Sequence, residues 1–324
     1  MINIIGIDAG GSKTRVVHAS VADTSKIGFG LIRETYFNSY NYRQDGIIGL
    51  NQLIKEILCT FQIKDIENTL LLGGFSGAGT DKSHRDIQRG FEKHGFRKNL
   101  SNITSDASLL LMAIGNIGIV LIAGTGSVCI GRRKASEDGK EIYVRAGGYG
   151  FRTYSEPGGY QLGMRAIDAA LKIEDGRGQI PTVLYHRIRD HFNVTNLGQI
   201  IPLIYPPSGI KSNVNSQIAG LSKVVLKAAH EGDRLAIHFV KDIVDNFADH
   251  IHAVHSKLGL KNALIGLHGG LFADPYGEEL LIRPLTQHAL LNKHDLKLIT
   301  LGIKKGDTDP LIEAMKHEIL KKQQ

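Results

Sequence analysis

The chain has 324 residues, 42% of them apolar and 22% charged, the make-up of a folded globular protein long enough for two domains. Its net charge of +7 comes from lysines and arginines scattered along the sequence, which gives no basic stripe for nucleic acid and suits a small anionic ligand. The longest apolar run, over 117–123, is far short of the ~20 residues that cross a bilayer, and the first strand begins with no basic n-region or cleavage site, so a cytoplasmic protein is expected.

In chain order, the apolar pattern predicts strands over 3–8, 14–19 and 27–36, then a helix over 46–61 in which Leu50, Leu53, Ile54, Ile57, Leu58 and Phe61 recur at helical spacing. A buried strand follows at 69–75, a helix at 84–94, a strand at 102–104 and a helix at 107–114. This order suits a mixed five-stranded sheet with helices packed on it. It then restarts with strands at 119–123, 128–133 and 141–146, the last two joined by the turn Glu137-Asp138-Gly139. Helices are predicted at 158–173, 181–190, 218–230 and 233–258, strands at 263–267 and 296–301, and a closing amphipathic helix at 310–321. The restart implies a duplicated α/β domain. Residues 1–115 form one lobe, onto which the helix within 308–324 packs back, and 116–307 form a second lobe with a helical insertion.

Each copy contains a hydrophobic strand that breaks at a glycine-rich turn and resumes as a second strand. The first turn is Ala9-Gly10-Gly11-Ser12-Lys13-Thr14 and the second Ala123-Gly124-Thr125-Gly126-Ser127. Glycines remove the Cβ that keeps backbone amides away from a phosphate, and neighbouring hydroxyls add donors. One such hairpin is weak evidence of phosphate binding, because Gly and Ser also dominate ordinary tight turns; two, each with polar residues at the strand end, point to a polyphosphate. Gly6 to Thr14 imitates a Walker A loop but misses by one residue, since Ser12 separates Gly11 from Lys13 and β-branched residues follow where a helix belongs.

Further along lie Ser105-Asp106-Ala107, Gly147-Gly148-Tyr149-Gly150, Ala219-Gly220 and Leu267-His268-Gly269-Gly270-Leu271-Phe272. With Asp8 and the two turns, these make the chain resemble, over nearly its whole length, the BadF/BadG/BcrA/BcrD-type ATPases, and within them the N-acetylglucosamine and glucosamine kinases. The resemblance implies the actin/Hsp70/sugar-kinase (ribonuclease H-like) fold, with two duplicated α/β lobes around a nucleotide cleft. It also implies ATP and Mg²⁺ as cofactors, a small sugar as substrate, a homodimer, and no nucleic-acid or membrane partner.

Carried over residue by residue, the resemblance assigns the phosphates to Gly10, Gly11, Ser12, Lys13, Gly124, Thr125, Gly126 and Ser127. Asp8 positions hydrated Mg²⁺, a role that fits a strand-end carboxylate facing a polyphosphate; the alternative is a turn-initiating Asx. Asp106 is the base that takes the sugar hydroxyl proton, or it caps the helix starting at Ala107, and the two roles are compatible. The sugar falls to Asn41, Ser76, Gly77, Asp106, Tyr149, Gly150 and Glu156, although Asn41 also reads as a plain loop turn. The nucleoside falls to Ala219, Ser222, Gly269 and Gly270, the last pair reading otherwise as a mere turn.

Two stretches depart from the family pattern. Ser155-Glu156-Pro157-Gly158-Gly159 replaces an Asp-Glu-Gly-Ser stretch, so the sugar-contacting Asp becomes Ser155 and Pro157 stiffens the turn. Gly306-Asp307-Thr308-Asp309-Pro310 replaces a Gly-Ala-rich helix start. Cys59 and Cys129 sit in apolar periodic segments, where burial is the default, and cannot alone hold the iron–sulfur cluster of the family's dehydratase-activating branch. A non-catalytic sensor of nucleotide or sugar is the rival function, with Ser155 in its favour and Asp8 and Asp106 against it. His250, His252 and His255 do not share one helical face and read as a solvated or partly packed helix; His268 reads as structural.

Overall fold

The computed structural model describes residues 2–10, 13–21, 29–134, 141–150, 157–178, 181–205, 214–294 and 296–322. The strands are β1 (Ile2–Ala9), β2 (Thr14–Val21), β3 (Leu31–Phe37), β4 (Thr69–Phe75), β5 (Ser101–Ser105), β6 (Gly118–Ala123), β7 (Ser127–Lys134), β8 (Glu141–Gly147), β9 (Leu264–His268) and β10 (Lys297–Thr300). The helices are α1 (Tyr42–Phe61), α2 (Asp81–Lys93), α3 (Asp106–Ala113), α4 (Gly159–Glu174), α5 (Leu184–Phe192), α6 (Ile201–Ile204), α7 (Val214–His230), α8 (Arg234–Leu258), α9 (Arg283–Thr286), α10 (Ala289–Asn292) and α11 (Pro310–Lys321). Two compact units result: Met1–Asn116 with Thr308–Gln324, and Ile117–Asp307.

The two sheets have one topology. In the first the order is β3-β2-β1-β4-β5, and in the second β10-β9-β6-β7-β8. In each, three sequential strands pair antiparallel and the first of them also pairs parallel with the strand that follows the next helices. Two mixed-sheet α/β lobes of the same design are therefore present.

The first sheet is covered on both faces, as the near-continuous burial of β1 and β4 requires. Because side chains alternate, Ile5, Ile7 and Ala9 of β1 join Leu50, Ile54, Phe61, Ile87 and Phe91 of α1 and α2. Ile4 faces the other way and joins Leu109 and Met112 of α3 and Leu311, Met315 and Ile319 of α11. The C-terminal helix thus packs on this unit's own sheet, and a Cβ on Gly6 of β1 would collide with Met315. In the second unit Ile119, Leu121 and Ala123 of β6 share a core with α4, α7 and α8.

Several boundaries move for identifiable reasons. Thr80 caps α2 in a capping box with Ser83, so that helix starts at Asp81 rather than at 84. Gly46, the predicted first residue of α1, is non-helical (φ 57°, ψ −156°) and interrupts a helix that begins at Tyr42. The turn at 137–139 and positions 27 and 28 of the third predicted strand lie outside the described residues. Cys59 is exposed, contrary to expectation, while Cys129 is buried and burial pushes its thiol pKa up. Position 59 lies off the α1 face that carries Leu50, Leu53, Ile54, Ile57 and Phe61. Among the described residues no helix is long and apolar enough to cross a membrane.

Candidate active site

In the first unit the site forms at the carboxyl ends of the parallel strands. Asp8 continues the face of β1 that carries Ile4 and Gly6, the face covered by α3 and α11. Its partner on β4 is Gly74, which in turn pairs with Thr104 of β5. A Cβ on Gly74 would lie 2.9 Å from Leu109 Cβ and 3.3 Å from Asp106 Cα. The bare backbone at 74 therefore lets the start of α3 settle onto the sheet beside Asp8. With paired strands ~4.8 Å apart, the Cα atoms of Asp8 and Asp106 fall within about 10 Å of each other on one sheet face.

Asp106 is not the cap of α3. Ser105 takes that position, its hydroxyl accepting from the Ser108 amide at 3.1 Å. Asp106 is the first helical residue, half-buried, and its Oδ1 accepts from the Ala107 amide at 2.8 Å.

Asn41, Ser76 and Gly77 meet just beyond the end of β4. The Asn41 side-chain amide donates to Ser76 Oγ at 3.2 Å, and its Oδ1 accepts from the Arg43 amide at 3.0 Å. Ser76 carries the sheet forward, donating its amide to Ala9 O at 2.8 Å and accepting from the Tyr42 amide at 3.0 Å. Gly77 has φ +82°, and a Cβ there would stand 2.7 Å from Asn41 Oδ1. Asn41 is thus at once a helix cap and a member of this polar cluster.

Beside Asp8, Arg15 of β2 is its antiparallel partner. Arg15 donates to Glu34 at 3.0 Å and to Asp309, the N-cap of α11, at 2.6 and 2.9 Å. Burial works against the Arg15 charge, but these two carboxylates raise its pKa far above the ordinary value. Asp309 is likewise opposed by burial and held below the usual carboxylate range by Arg15 and the amides of Ile312 and Leu311. The Gly306–Pro310 departure therefore supplies a cap and an ion pair that tie the C-terminal helix to the first hairpin. Lys13 is exposed, with Nζ 4.0 Å from the centre of the Tyr36 ring.

In the second unit the glycine turn Ala123–Ser127 has all its carbonyls engaged. Gly124 O accepts from Gly159 N at 2.8 Å, Thr125 O from Tyr160 N at 2.9 Å, Gly126 O from Gly124 N at 2.9 Å, and Ser127 O from Gly148 N at 3.1 Å. The amides of Thr125 and Gly126 donate to none of these, so the loop offers its N–H edge, the arrangement that binds anions. Ser127 Oγ is buried with no partner among the described residues, and so is Thr14 Oγ1. The two hydroxyls are equivalent: Thr14 pairs with Ala9 and Ser127 with Ala123, each opening the return strand of its hairpin. A buried hydroxyl without a partner costs free energy that an added acceptor, such as a phosphate oxygen, recovers.

Most of the residues expected at the nucleoside gather around this turn. A Cβ on Gly159 would lie 3.0 Å from Ala219 O, 3.1 Å from Gly124 O and 3.3 Å from Ser222 Oγ. Gly158 stacks on the turn as closely, its Cβ position 2.7 Å from Gly126 Cα. Gly269 has φ +113°, and its Cβ position collides with the Ala123 backbone, whose oxygen accepts from Leu271 N at 3.1 Å. Gly270 is open, with no heavy atom within 4 Å of a Cβ. Tyr149 lies apart on the glycine-rich stretch after β8, 61% exposed and stacked on Arg145 at 4.8 Å, while Gly150 has φ +99°.

Gly11, Ser12 and Glu156, with Ser155, lie outside the described residues. Residues not singled out in the sequence take supporting places: Thr14, Gly74, Arg15, Gly158 and Gly159. Thr14 was findable from its offset, one residue past the first turn as Ser127 is past the second, and Gly74 from the rarity of glycine inside a buried strand. Among the histidines, the His252 and His255 rings both approach His294, at 5.7 and 4.7 Å between centres, and His250 lies against Gly147. His268 Nδ1 is 2.7 Å from Leu301 O. Among the described residues no group of three or more His, Cys, Asp or Glu is disposed to hold a metal ion.

Solved structures with this architecture include sugar kinases. A candidate N-acetylglucosamine kinase of Chromobacterium violaceum matches with a TM-score of 0.69 over 99% of both chains at 20% identity. The glucose-bound hexokinase of Schistosoma mansoni matches with a TM-score of 0.61 over 98% of this chain and 85% of its own at 13% identity. At such identities the likeness is one of fold, and the fold is that of actin, Hsp70 and the sugar kinases. In sequence, the N-acetylmuramic acid/N-acetylglucosamine kinase of Clostridium acetobutylicum is 29% identical over 272 residues, 82% of this chain and 83% of its own. The model of the BadF/BadG/BcrA/BcrD ATPase family matches residues 5–287, and the chain belongs to that family.

Proposed function

We propose that the protein is an ATP-dependent kinase that transfers the γ-phosphoryl group of ATP to a hydroxyl, the primary 6-hydroxyl, of N-acetylglucosamine, glucosamine or a related amino sugar. The observation that carries this reading is the pair Asp8 and Asp106 set on either side of Gly74, on one face of the sheet. One carboxylate stands at the hairpin that meets phosphate, and the other stands at a helix start, where a base for the acceptor is needed.

In this reading Asp106 accepts the proton of the sugar hydroxyl as its oxygen attacks the γ-phosphorus. The bond from that phosphorus to the β–γ bridging oxygen breaks, and ADP leaves with the electron pair. Positioning and electrostatics supply most of the rate, and the base contributes about 10²–10⁴-fold. The amides of Thr125 and Gly126 and the hydroxyls of Thr14 and Ser127 hold the phosphates, with Lys13 adding charge. Asn41 and Ser76 orient the sugar, and Ala219, Ser222 and Gly270 border the nucleoside. Mg²⁺, when bound, neutralises phosphate charge. A single oxygen donor at a strand end, half-buried, fits an ion that keeps most of its waters, and Asp8 would hold it through water. The enzyme is taken as a cytoplasmic homodimer, which light scattering of the purified protein checks.

ADP release measured with Mg²⁺-ATP across a panel of amino sugars and hexoses tests the reading. Sugar-stimulated release is expected with an amino sugar, and Asp106→Asn is expected to lower kcat by about 10²–10⁴-fold with ATP binding retained. No stimulation by any sugar would sink the kinase reading and leave the sensor.

A further inference from the structure

Arg43 stands at the polar cluster assigned to the sugar, and its charge is unspent. Its amide is held by Asn41 Oδ1 at 3.0 Å. Its stem runs along Gly77, where a Cβ would lie 3.3 Å from Arg43 Cγ and 3.2 Å from Arg43 N. Gly77, at φ +82°, leaves that channel open. The side chain is exposed, and its guanidinium makes no hydrogen bond, ion pair or ring contact with any described residue. The nearby cations and anions behave otherwise: Lys82 is bound to Asp86, which also accepts from the Tyr42 hydroxyl at 2.6 Å, and Asp45 accepts from the Asn41 amide.

We infer that Arg43 is a specificity residue for an acceptor amino sugar that carries a carboxylate. The inference rests on the kinase reading above. A hexosamine bonded to Asn41 and Ser76 would lie against the start of the Arg43 side chain, within reach of its long stem, and a planar guanidinium matches a carboxylate with two parallel hydrogen bonds. A monoanionic carboxylate suits the site better than a phosphate, because a second phosphate on the acceptor would repel the γ-phosphate it must approach.

The test compares kcat/KM for N-acetylmuramic acid, which bears a lactyl carboxylate, with that for its neutral methyl ester, in the wild type and in Arg43→Met and Arg43→Lys. N-acetylglucosamine serves as the reference sugar. The acid is expected to be preferred over the ester by the wild type. In Arg43→Met the acid-to-ester ratio should fall at least about tenfold, since hydrogen bonds to a charged group contribute about 1.5–3 kcal/mol, and Arg43→Lys should recover part of it. Raising the salt concentration should lower the wild-type ratio and leave that of Arg43→Met unchanged. An acid-to-ester ratio within twofold of the wild type in Arg43→Met, or equal losses for acid, ester and N-acetylglucosamine, would overturn the inference. Turnover of N-acetylglucosamine with refusal of both muramyl sugars would overturn it and leave the kinase intact. No turnover of any sugar would instead remove the reading beneath it.

Discussion

A methyl group at Gly124 separates the fold from the ligand. Nothing lies within 4 Å of a Cβ at this position and its φ is outside the left-handed region, so Gly124→Ala meets no protein atom. By restricting the unfolded chain, the substitution should stabilise the protein by about 0.4–1 kcal/mol, a rise in melting temperature of about 1–4 °C. The same methyl enters open space at the turn, where a phosphate is expected. Pushing one phosphate oxygen out of reach of one amide forfeits a charge-assisted hydrogen bond of about 1.5–3 kcal/mol, a tenfold to 150-fold loss of affinity. Calorimetric titration of the purified variant with ATP, beside thermal melting without ligand, reads both effects and needs no sugar. Gly270→Ala, equally open, should behave alike with a smaller loss if the nucleoside passes there. An unchanged melting temperature with ATP affinity within twofold of the wild type in Gly124→Ala would refute the cradle.

Gly269→Ala is the converse, since a Cβ at φ +113° collides with the Ala123 backbone; a loss of about 2–4 kcal/mol in denaturant unfolding is expected. Asn41→Ala should raise the KM for the sugar about tenfold and leave that for ATP within twofold, because it breaks the Ser76 cluster and the cap of α1, both away from the phosphate turns. Asp309→Ala removes a helix cap and a partly exposed ion pair with Arg15, together about 2 kcal/mol, or about 4–8 °C in melting temperature. Since the folded Asp309 pKa lies below the ordinary 3.8, that contribution is complete above pH 3.8 and disappears as pH falls through the lower folded value. In acid the variant and wild-type stability curves should therefore converge. His250 and His255 are held neutral by burial, below the ordinary 6.5, so the unfolded chain binds their protons first. Stability should fall as pH drops below 6.5, by up to about 1.4 kcal/mol per pH unit per group, and His255→Gln should flatten the slope seen in pH-dependent unfolding.

The sheets were readable because their strands carry strong period-two or continuous apolar signals, and the duplication because the same turn recurs. The residues that join the sites were harder to read, since they act through what they lack. Gly74 matters because α3 rests where its side chain would be, and Gly158 and Gly159 because α4 begins against the phosphate turn. In the sequence, Pro157-Gly158-Gly159 looks like a broken sugar motif. In the fold the two glycines admit the amides of Gly159 and Tyr160 to the turn's carbonyls. Which Ser or Asp caps α3 was also beyond one-dimensional reading, because Ser105 and Asp106 are both good caps and the choice follows from where β5 ends. Likewise Asp309 reads as a departure until Arg15, 294 residues away, is brought beside it.

The two hairpins share one design and differ at the strand end. Both close with an amide-to-carbonyl bond across the neck, Gly10 N to Lys13 O and Gly124 N to Gly126 O, and both bury a hydroxyl at the first return residue, Thr14 or Ser127. Counting back from Ala9 and Ala123, the residue before the turn is Asp8 in one copy and Ile122 in the other. Of the two, the first hairpin alone brings a carboxylate to its strand end, which is the feature that the proposed magnesium role rests on. That carboxylate has a cationic neighbour, because its cross-strand partner is Arg15, where the second copy has Val128 opposite Ile122. Without other partners, Arg15 would be drawn to Asp8 and would compete with a metal ion for it. Glu34 and Asp309 both hold the guanidinium, which removes that competition. The turn of the second hairpin is approached instead by the backbone of Gly158, Gly159 and Gly269.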